Sequence, residues 1–540
     1  MGSGGDFSEG PKPPGATALG GEPVQPRFRR LRAWAALGLA ALFFSSTLVL
    51  VGTLISLGLT IGSWSMRHLR GTALALGGLL AVALFLAAFV LVVSLWPRRA
   101  KFKPPGPELK RDLHPALFKE IDRVAARCDV KGPKHVYLAP DVNAFVADVG
   151  GVAGLFTTRV LGVGLPLLHC LSRAEFRSVL AHEFGHFARG DTRVGGWVFR
   201  TRTSIQAIVE NLSDAAETTA SGDAPLLALF FAMLRWPFVA FGGFYLRFSL
   251  ALSRAQELSA DALAAQLEGA DVLVRSLQRV RHAALGFDGY MRSEVVPLLE
   301  QGVLPPIGPG LSRFLQAPDV VAHLEKVSRV VDAEPEHQLD SHPPLHARVA
   351  HARGLRLGPH RGNVTTEGPA FELVTHLSEL ELLLAEPWVG GSPLKRMPWE
   401  NVGPPLERGW RERARELAPL LSGVTPASLP HDPAQLRGLL ARAMGDRAQH
   451  LADEKVTLIA VSLLSQVVTV VLLDAGFMLE STPGVAVQVL RGDERYEPVR
   501  LLREYLFEGK DEAWRAMWDS TGLAHVELAP TATDDEAPPA

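Results

Sequence analysis

The sequence predicts a mainly helical α+β chain with an N-terminal membrane hairpin and a small α+β unit towards its C-terminal end. Three observations predict it. Two long charge-free runs lie side by side near the N-terminus. The segment 104–360 mixes short strand-like stretches with strong helical patterns. The last third alternates short apolar stretches with turn residues before another helix.

At 540 residues the chain exceeds one compact domain, and two or three units are expected. Its 55 basic and 57 acidic side chains leave no electrostatic footprint for nucleic acid, which is excluded as a partner. Cys128 and Cys170 are the only cysteines, and neither belongs to a CxxC pair. That excludes a disulfide framework and a cysteine-rich metal site, and reads as buried thiols in a reducing compartment.

The elements follow in order. Residues 1–30 read as a disordered cytoplasmic tail, because their Gly- and Pro-rich opening cannot bury enough apolar surface to offset chain entropy. Residues 31–97 read as a transmembrane hairpin. Ala33–Met66 and Gly71–Pro97 carry no charge, and each exceeds the ~20 residues needed to cross a bilayer. A signal peptide would be shorter and would not come in pairs. Arg27, Arg29, Arg30 and Arg32 precede the hairpin and Arg98, Arg99, Lys101 and Lys103 follow it, against only Arg67 and Arg70 in its turn. The positive-inside rule therefore puts the N-terminus and everything after Lys103 in the cytoplasm.

In the soluble segment, HVYLAP (135–140) reads as a strand, and Asn143–Val149 as an edge strand. Ser172 and Glu175 form a capping box that opens a helix near Arg173; Phe176, Val179, Leu180 and Phe184 keep helical spacing, and Gly190 closes it. On that helix His182 and His186 fall one turn apart on one face. HEFGH is an instance of H-E-x-x-H, in which two imidazoles share a zinc ion and the intervening Glu183 serves as general base towards its water. A chance pattern on a surface helix is the competing reading, and a third ligand decides between them. LALSRAQELSADALAAQLEG (250–269) is a second strong helix with Glu257 and Asp261 one turn apart. A glutamate there leaves zinc an open position, and an aspartate one turn on can hold the outer nitrogen of a ligating histidine. Taken alone, both acids also fit an ordinary solvated face.

HEFGHFARGD followed by SRAQELSAD resembles the membrane-associated zinc metallopeptidases of the HtpX and CAAX prenyl endopeptidase type, zincins of the gluzincin kind. Asn143-Ala144-Phe145 resembles their upstream Asn-Ala-Phe element, and SHPPLHARV (341–349) their closing His-Pro…Arg element. The resemblance covers roughly 104–355. It implies one zinc per chain, with Glu257 as third ligand and Asp261 as support for a ligating histidine. His342 carries over as an oxyanion donor and Arg348 as a structural ion-pair partner. It also implies protein or peptide substrates at a bilayer of the bacterial inner or cell-membrane type.

Coordination adds a topological rule, since His182, His186 and Glu257 must lie on one side of the membrane. Between them runs PLLALFFAMLRWPFVAFGGFYLRFSLAL (225–252), and its only partner span, Val194–Leu212, carries Arg200, Arg202 and Glu210, each costly in lipid. We therefore expect no crossing there, with 225–252 as a helical lid or interfacial segment; a re-entrant pair is the alternative. Beyond 380 the chain reads as an α+β unit to about 528, with 529–540 a disordered tail. Val456–Leu473 is charge-free; Gln466 mid-run and Asp474 at its end favour a buried helix over a third span. Turns at Thr482–Gly484 and Gly492–Asp493 mark short strands.

These readings converge on a membrane-anchored zinc endopeptidase. A zinc-binding scaffold without catalysis is the alternative, and it would have lost a ligand or the base. A transporter is excluded, because neither hairpin run carries an ionisable residue for a pathway.

Overall fold

The computed structural model describes residues 26–95, 102–150, 157–188, 192–221, 224–333, 343–357, 367–444 and 451–529. Of the expected tails over 1–30 and 529–540, residues 1–25 and 530–540 lie outside these residues, as do the cations Arg98, Arg99 and Lys101, the helix end at Gly190 and the expected oxyanion donor His342; residues 26–30, expected in the tail, already belong to the first helix. Three apolar clusters organise what is described.

The first cluster holds the hairpin. Helix α1 (Pro26–His68) and helix α2 (Gly71–Leu95) run antiparallel, joined by Leu69 and Arg70 alone. Gly71 takes φ +58°, a left-handed conformation that reverses the chain at no Cβ cost. Leu48, Val49, Leu59, Leu76, Val82 and Phe89 point outward and stay exposed. An apolar surface of this extent on two complete helices is a lipid-facing surface.

The second cluster is built on a four-stranded sheet. Strands β1 (Glu108–Leu109), β2 (His135–Ala139), β3 (Ala144–Val149) and β4 (Thr158–Gly164) lie in the order β1-β2-β4-β3. β2 and β4 are parallel, β3 and β4 antiparallel, so β3 is an edge. Helix α3 (Pro115–Arg127) separates β1 from β2, and helices α4 (Leu165–Cys170) and α5 (Arg173–Ala188) follow β4. Phe176, Leu180 and Phe184 are the buried stripe of α5.

After α5 come two long helices, α6 (Thr192–Ser221) and α7 (Pro225–Glu268), packed against each other in opposite directions. They bear on the stretch expected as a lid or interfacial segment, with a re-entrant pair as the alternative. The stretch 225–252 is the first part of α7, and both helices join the hairpin's own cluster: Phe43, Leu54, Leu84 and Leu91 pack with Ile205, Ile208, Leu212, Phe231 and Tyr245. Phe43 stacks on Phe241 at 5.5 Å. The physical reason is that α6 has two faces. Ile205, Ile208 and Leu212 turn inward, while Gln206, Glu210, Asp214 and Glu217 stay on the outside, so these acids keep out of the packed interior. Among the described residues four helices are long and apolar enough to cross a membrane: α1, α2, α7 and one near the C-terminal end.

Helix α8 (Ala270–Tyr290) returns to the second cluster, followed by α9 (Val296–Glu300), strand β5 (Val303–Leu304), α10 (Ile307–Phe314), α11 (Pro318–Ala333) and α12 (Leu345–Gly354). The cluster continues past the expected boundary at 380. Leu384 and Ala385 of helix α13 (Leu377–Ala385), Trp399, Val402 and Leu406 belong to it, and strand β6 (Lys395–Arg396) pairs with β5. The Trp399 indole donates to the Pro306 carbonyl at 2.9 Å, and Glu381 accepts the Gly308 amide at 3.0 Å.

The third cluster begins at Ala414 and ends at Leu528. It contains helices α14 (Gly403–Leu421), α15 (Pro433–Met444), α16 (Asp453–Asp474), α17 (Pro498–Glu508) and α18 (Asp511–Thr521), and the antiparallel meander β7 (Met478–Glu480), β8 (Gln488–Arg491), β9 (Glu494–Tyr496). α16 is the apolar helix that tempts a membrane reading. It is wrapped by α14, α15 and α17 and mostly buried, so packing inside this unit accounts for its composition.

Candidate metal centre

The site forms where α5 meets α7. At the start of α5 the capping box is present: the Glu175 amide donates to Ser172 Oγ at 3.3 Å and the Ser172 amide to Glu175 Oε2 at 2.9 Å. The same carboxylate accepts Arg279 at 2.7 Å, which ties α5 to α8. One turn further Arg177 is buried, although it is charged and shares the face of Leu180 and Phe184. Its guanidinium donates to Glu268 at 2.9 Å and to both oxygens of Glu367 at 2.6 and 2.9 Å. Arg127 of α3 donates to Glu268 at 2.6 Å. A buried charge persists only when paired in this way, and the network fastens the end of α7 beneath α5.

The two helices approach closely at Gly185. A methyl group there would lie 3.1 Å from the Ala260 Cα and 3.2 Å from its Cβ. This close approach brings the functional side chains together. Ligand atoms of His182, His186 and Glu257 all lie within 4.8 Å of one another. The Nε2 atoms of His182 and His186 stand 3.4 and 3.5 Å from the two Glu257 oxygens. The imidazole rings are 4.9 Å apart and nearly perpendicular, at 86°. Glu257 is buried, while His182, Glu183 and His186 are half-buried, on the open side of the cluster.

Asp261, one turn after Glu257, has no exposed surface. Its Oδ1 lies 2.9 Å from His182 Nδ1. Arg348 of α12 grips the same carboxylate with two bonds, Nε to Oδ2 at 2.8 Å and Nη2 to Oδ1 at 2.7 Å. Arg348 Nη2 and His182 Nδ1 are 3.4 Å apart because both address one acceptor. With Nδ1 so engaged, Nε2 is the nitrogen presented to Glu257 and His186. The electrostatics agree. Burial opposes charge on His182, but Asp261 and Glu257 overcome it and raise its pKa to about 9. Burial would raise the Asp261 carboxyl, yet Arg348 and His182 hold it below the usual carboxylate range.

The edge strand lies beside this centre. Arg159 of β4 bonds Asp148 of β3 at 2.9 and 3.2 Å, and its guanidinium sits 4.2 Å over the ring of Phe187, next to His186. Asn143 is exposed at the start of the edge, and its carbonyl accepts the Gly164 amide at 2.8 Å. Two features here escape a reading of the sequence. Arg177 could have been found as a charge occupying an apolar stripe position, and Gly185 as a glycine inside a strong helix.

Residues 112–356 match the family model described as Peptidase family M48. Protease HtpX of Photorhabdus laumondii is 34% identical over 178 residues, which are 31% of this chain and 58% of that protein. Protease HtpX of Tolumonas auensis is 28% identical over 256 residues, 44% of this chain and 84% of that protein. Protease HtpX of Sodalis glossinidius is 30% identical over 175 residues, again 31% of this chain and 58% of that protein. The chain thus spans little more than half the length of the first of these relatives and most of the second.

Proposed function

We propose that this chain, whose residues 112–356 match the model of peptidase family M48, is a membrane-anchored zinc endopeptidase acting on membrane or membrane-proximal proteins. The observation that carries the reading is the meeting of His182, His186 and Glu257 around one point, with Glu183 between the histidines. The donor set fits the ion. In a tetrahedral site with ligand distances of about 2.0–2.1 Å, neighbouring ligand atoms stand roughly 3.3–3.5 Å apart. The two histidine-to-carboxylate separations are 3.4 and 3.5 Å. Two imidazoles and one carboxylate with a fourth position open suit zinc better than harder cations.

Zinc held there, one per chain, supplies Lewis acidity that brings the pKa of a water towards neutrality and polarises the scissile carbonyl. The chain's own residues do the rest. Glu183 takes the proton of the attacking water and delivers it to the departing amine. Asp261 fixes the His182 tautomer, and Arg348 fixes Asp261. The free edge of β3 aligns an extended substrate by backbone hydrogen bonds. His342 keeps the assignment its motif implies, as oxyanion donor. α1 and α2 are the two full spans, and α6 and α7 enter the bilayer beside them. The N-terminus and the peptidase domain face the cytoplasm, where the flanking arginines and lysines hold them. The unit over 414–528 carries no acid–histidine cluster of metal-binding geometry among its described residues and acts in substrate or partner selection.

The test compares wild type with Glu183→Gln, purified in detergent, by zinc content and casein hydrolysis. The amide cannot take a proton, so both proteins should hold one zinc and only wild type should cut casein, with the variant's rate lower by roughly two to four orders of magnitude. Absence of zinc from both would overturn the ligand assignment. Equal cleavage by both would overturn the assignment of the base.

A further inference from the structure

α7 is one continuous helix whose first part is dressed for lipid and whose last part carries Glu257 and Asp261. Leu226, Leu229, Met233, Trp236, Val239 and Phe244 are exposed along it. Beyond Phe244 no large apolar side chain of α7 is exposed among the described residues, and Arg247 is the next exposed charge. Arg235, the single charge higher up, is engaged by the Ser213 hydroxyl of α6 at 2.9 Å. That bond and the contact of Ile205 with Gly242 set the antiparallel register of the two helices, which brings Arg200 level with Arg247. Beside Arg200 stands Trp197, partly exposed, with the guanidinium 5.5 Å from its ring and 6.0 Å from that of Phe44. An exposed tryptophan with arginines at one level marks the boundary between hydrocarbon and water.

Glu257 follows Arg247 by ten residues on the same helix. At about 1.5 Å per residue, the metal centre stands about 15 Å beyond that boundary. We infer that α7 is a ruler: the peptidase cuts membrane-anchored chains at bonds about 15 Å from the bilayer. This rests on the peptidase reading proposed above. An extended chain covers about 3.3 Å per residue, so the scissile bond lies roughly 5 residues from the end of the substrate's span. The limit is sharp on the near side, because a shorter tether cannot reach the cleft. It is gradual on the far side, where the effective concentration of a tethered segment falls roughly as the −3/2 power of its length.

The experiment uses the full chain in lipid nanodiscs and a series of single-span substrates. Each carries the same casein-derived segment, chosen as one this protein cuts, at about 2, 5, 10 or 20 residues from the span. Free casein is the control. Cleavage should peak at about 5 residues, fall at least ~10-fold at about 2, and fall several-fold by about 20. Equal rates at about 2 and about 5 residues, with casein cut normally, would overturn the ruler and leave the peptidase standing. Failure to cut casein and every member of the series would overturn the peptidase reading, and the ruler with it.

Discussion

Replacing Asp261 by asparagine keeps the size of the side chain and removes one acceptor oxygen. Three donors converge on the carboxylate: Arg348 Nε at 2.8 Å, Arg348 Nη2 at 2.7 Å and His182 Nδ1 at 2.9 Å. Whichever way the amide turns, its NH2 faces at least one of them. If its oxygen stays with His182, the NH2 opposes Arg348 Nε in a place without solvent. If the amide flips, His182 loses its acceptor and the hold on its tautomer. Breaking a buried pair of this kind costs about 3–5 kcal/mol, and the retained shape and remaining bonds put Asp261→Asn near the lower figure. The second effect is on the metal. Losing the partner that orients a ligating histidine lowers affinity by roughly 10–100-fold, which is about 1.4–2.8 kcal/mol. The assay is competition for zinc with a chelator of known affinity, on wild type and variant in the same detergent. Thermal midpoints with and without zinc are read alongside. A lower midpoint with zinc affinity unchanged to within about twofold would refute the argument. Asp261 would then hold α7 to α12 without tuning His182.

Two other perturbations follow from the same structure. Gly185→Ala adds a methyl 3.1 Å from the Ala260 Cα, so α5 and α7 must part by a few tenths of an ångström; it should cost about 1–3 kcal/mol and weaken zinc binding, with partial rescue by Ala260→Gly, as thermal midpoints and chelator competition will report. Glu381 is buried, and burial outweighs its backbone hydrogen bonds to raise its pKa to about 7. Since this acid binds its proton more tightly in the folded chain, its contribution to stability is complete below pH ~4.5 and is lost as pH rises towards 7. Glu381→Gln should therefore flatten the fall of the thermal midpoint across that window and sit above wild type at pH ~8; parallel curves would count against the assignment.

Some of this architecture is legible in the residues, and the reasons differ from place to place. The hairpin is legible because charge-free runs of this length have few uses outside a bilayer. The start of α5 is legible because a capping box is a local device, and both halves of it form between Ser172 and Glu175. The common face of His182 and His186 is legible because four residues make one helical turn. Asp261 is different. On spacing alone it is an acid on a helix, and nothing local distinguishes a fully buried carboxylate from a solvated one. Only the later Arg348, 87 residues on, makes burial affordable. Arg177 is harder still, because Glu268 and Glu367, its partners, lie 91 and 190 residues away. The limits of the second unit also depend on distant contacts. Trp399 falls on the far side of the boundary expected at 380, yet its indole finds its acceptor at Pro306.

The pair α6 and α7 carries the most instructive difference between pattern and packing. Counting Arg200, Arg202 and Glu210 as though each had to face lipid excludes 194–212 from the bilayer, and α7 with it. A helix in a bundle has more than one environment, however. Ile205, Ile208 and Leu212 face α1, α2 and α7, while Arg200 lies over the rings of Phe44 and Trp197. The meeting of the three side chains then supplies what hydropathy cannot. His186 precedes α6 and Glu257 sits in the last third of α7, so a chain that brings both to one point has to return to the side it left. Two antiparallel helices of 30 and 44 residues do that. The return helix arrives at the centre still attached to the part that packs with the hairpin. The part of α7 that packs with the hairpin and the part that carries Glu257 are therefore two stretches of one helix.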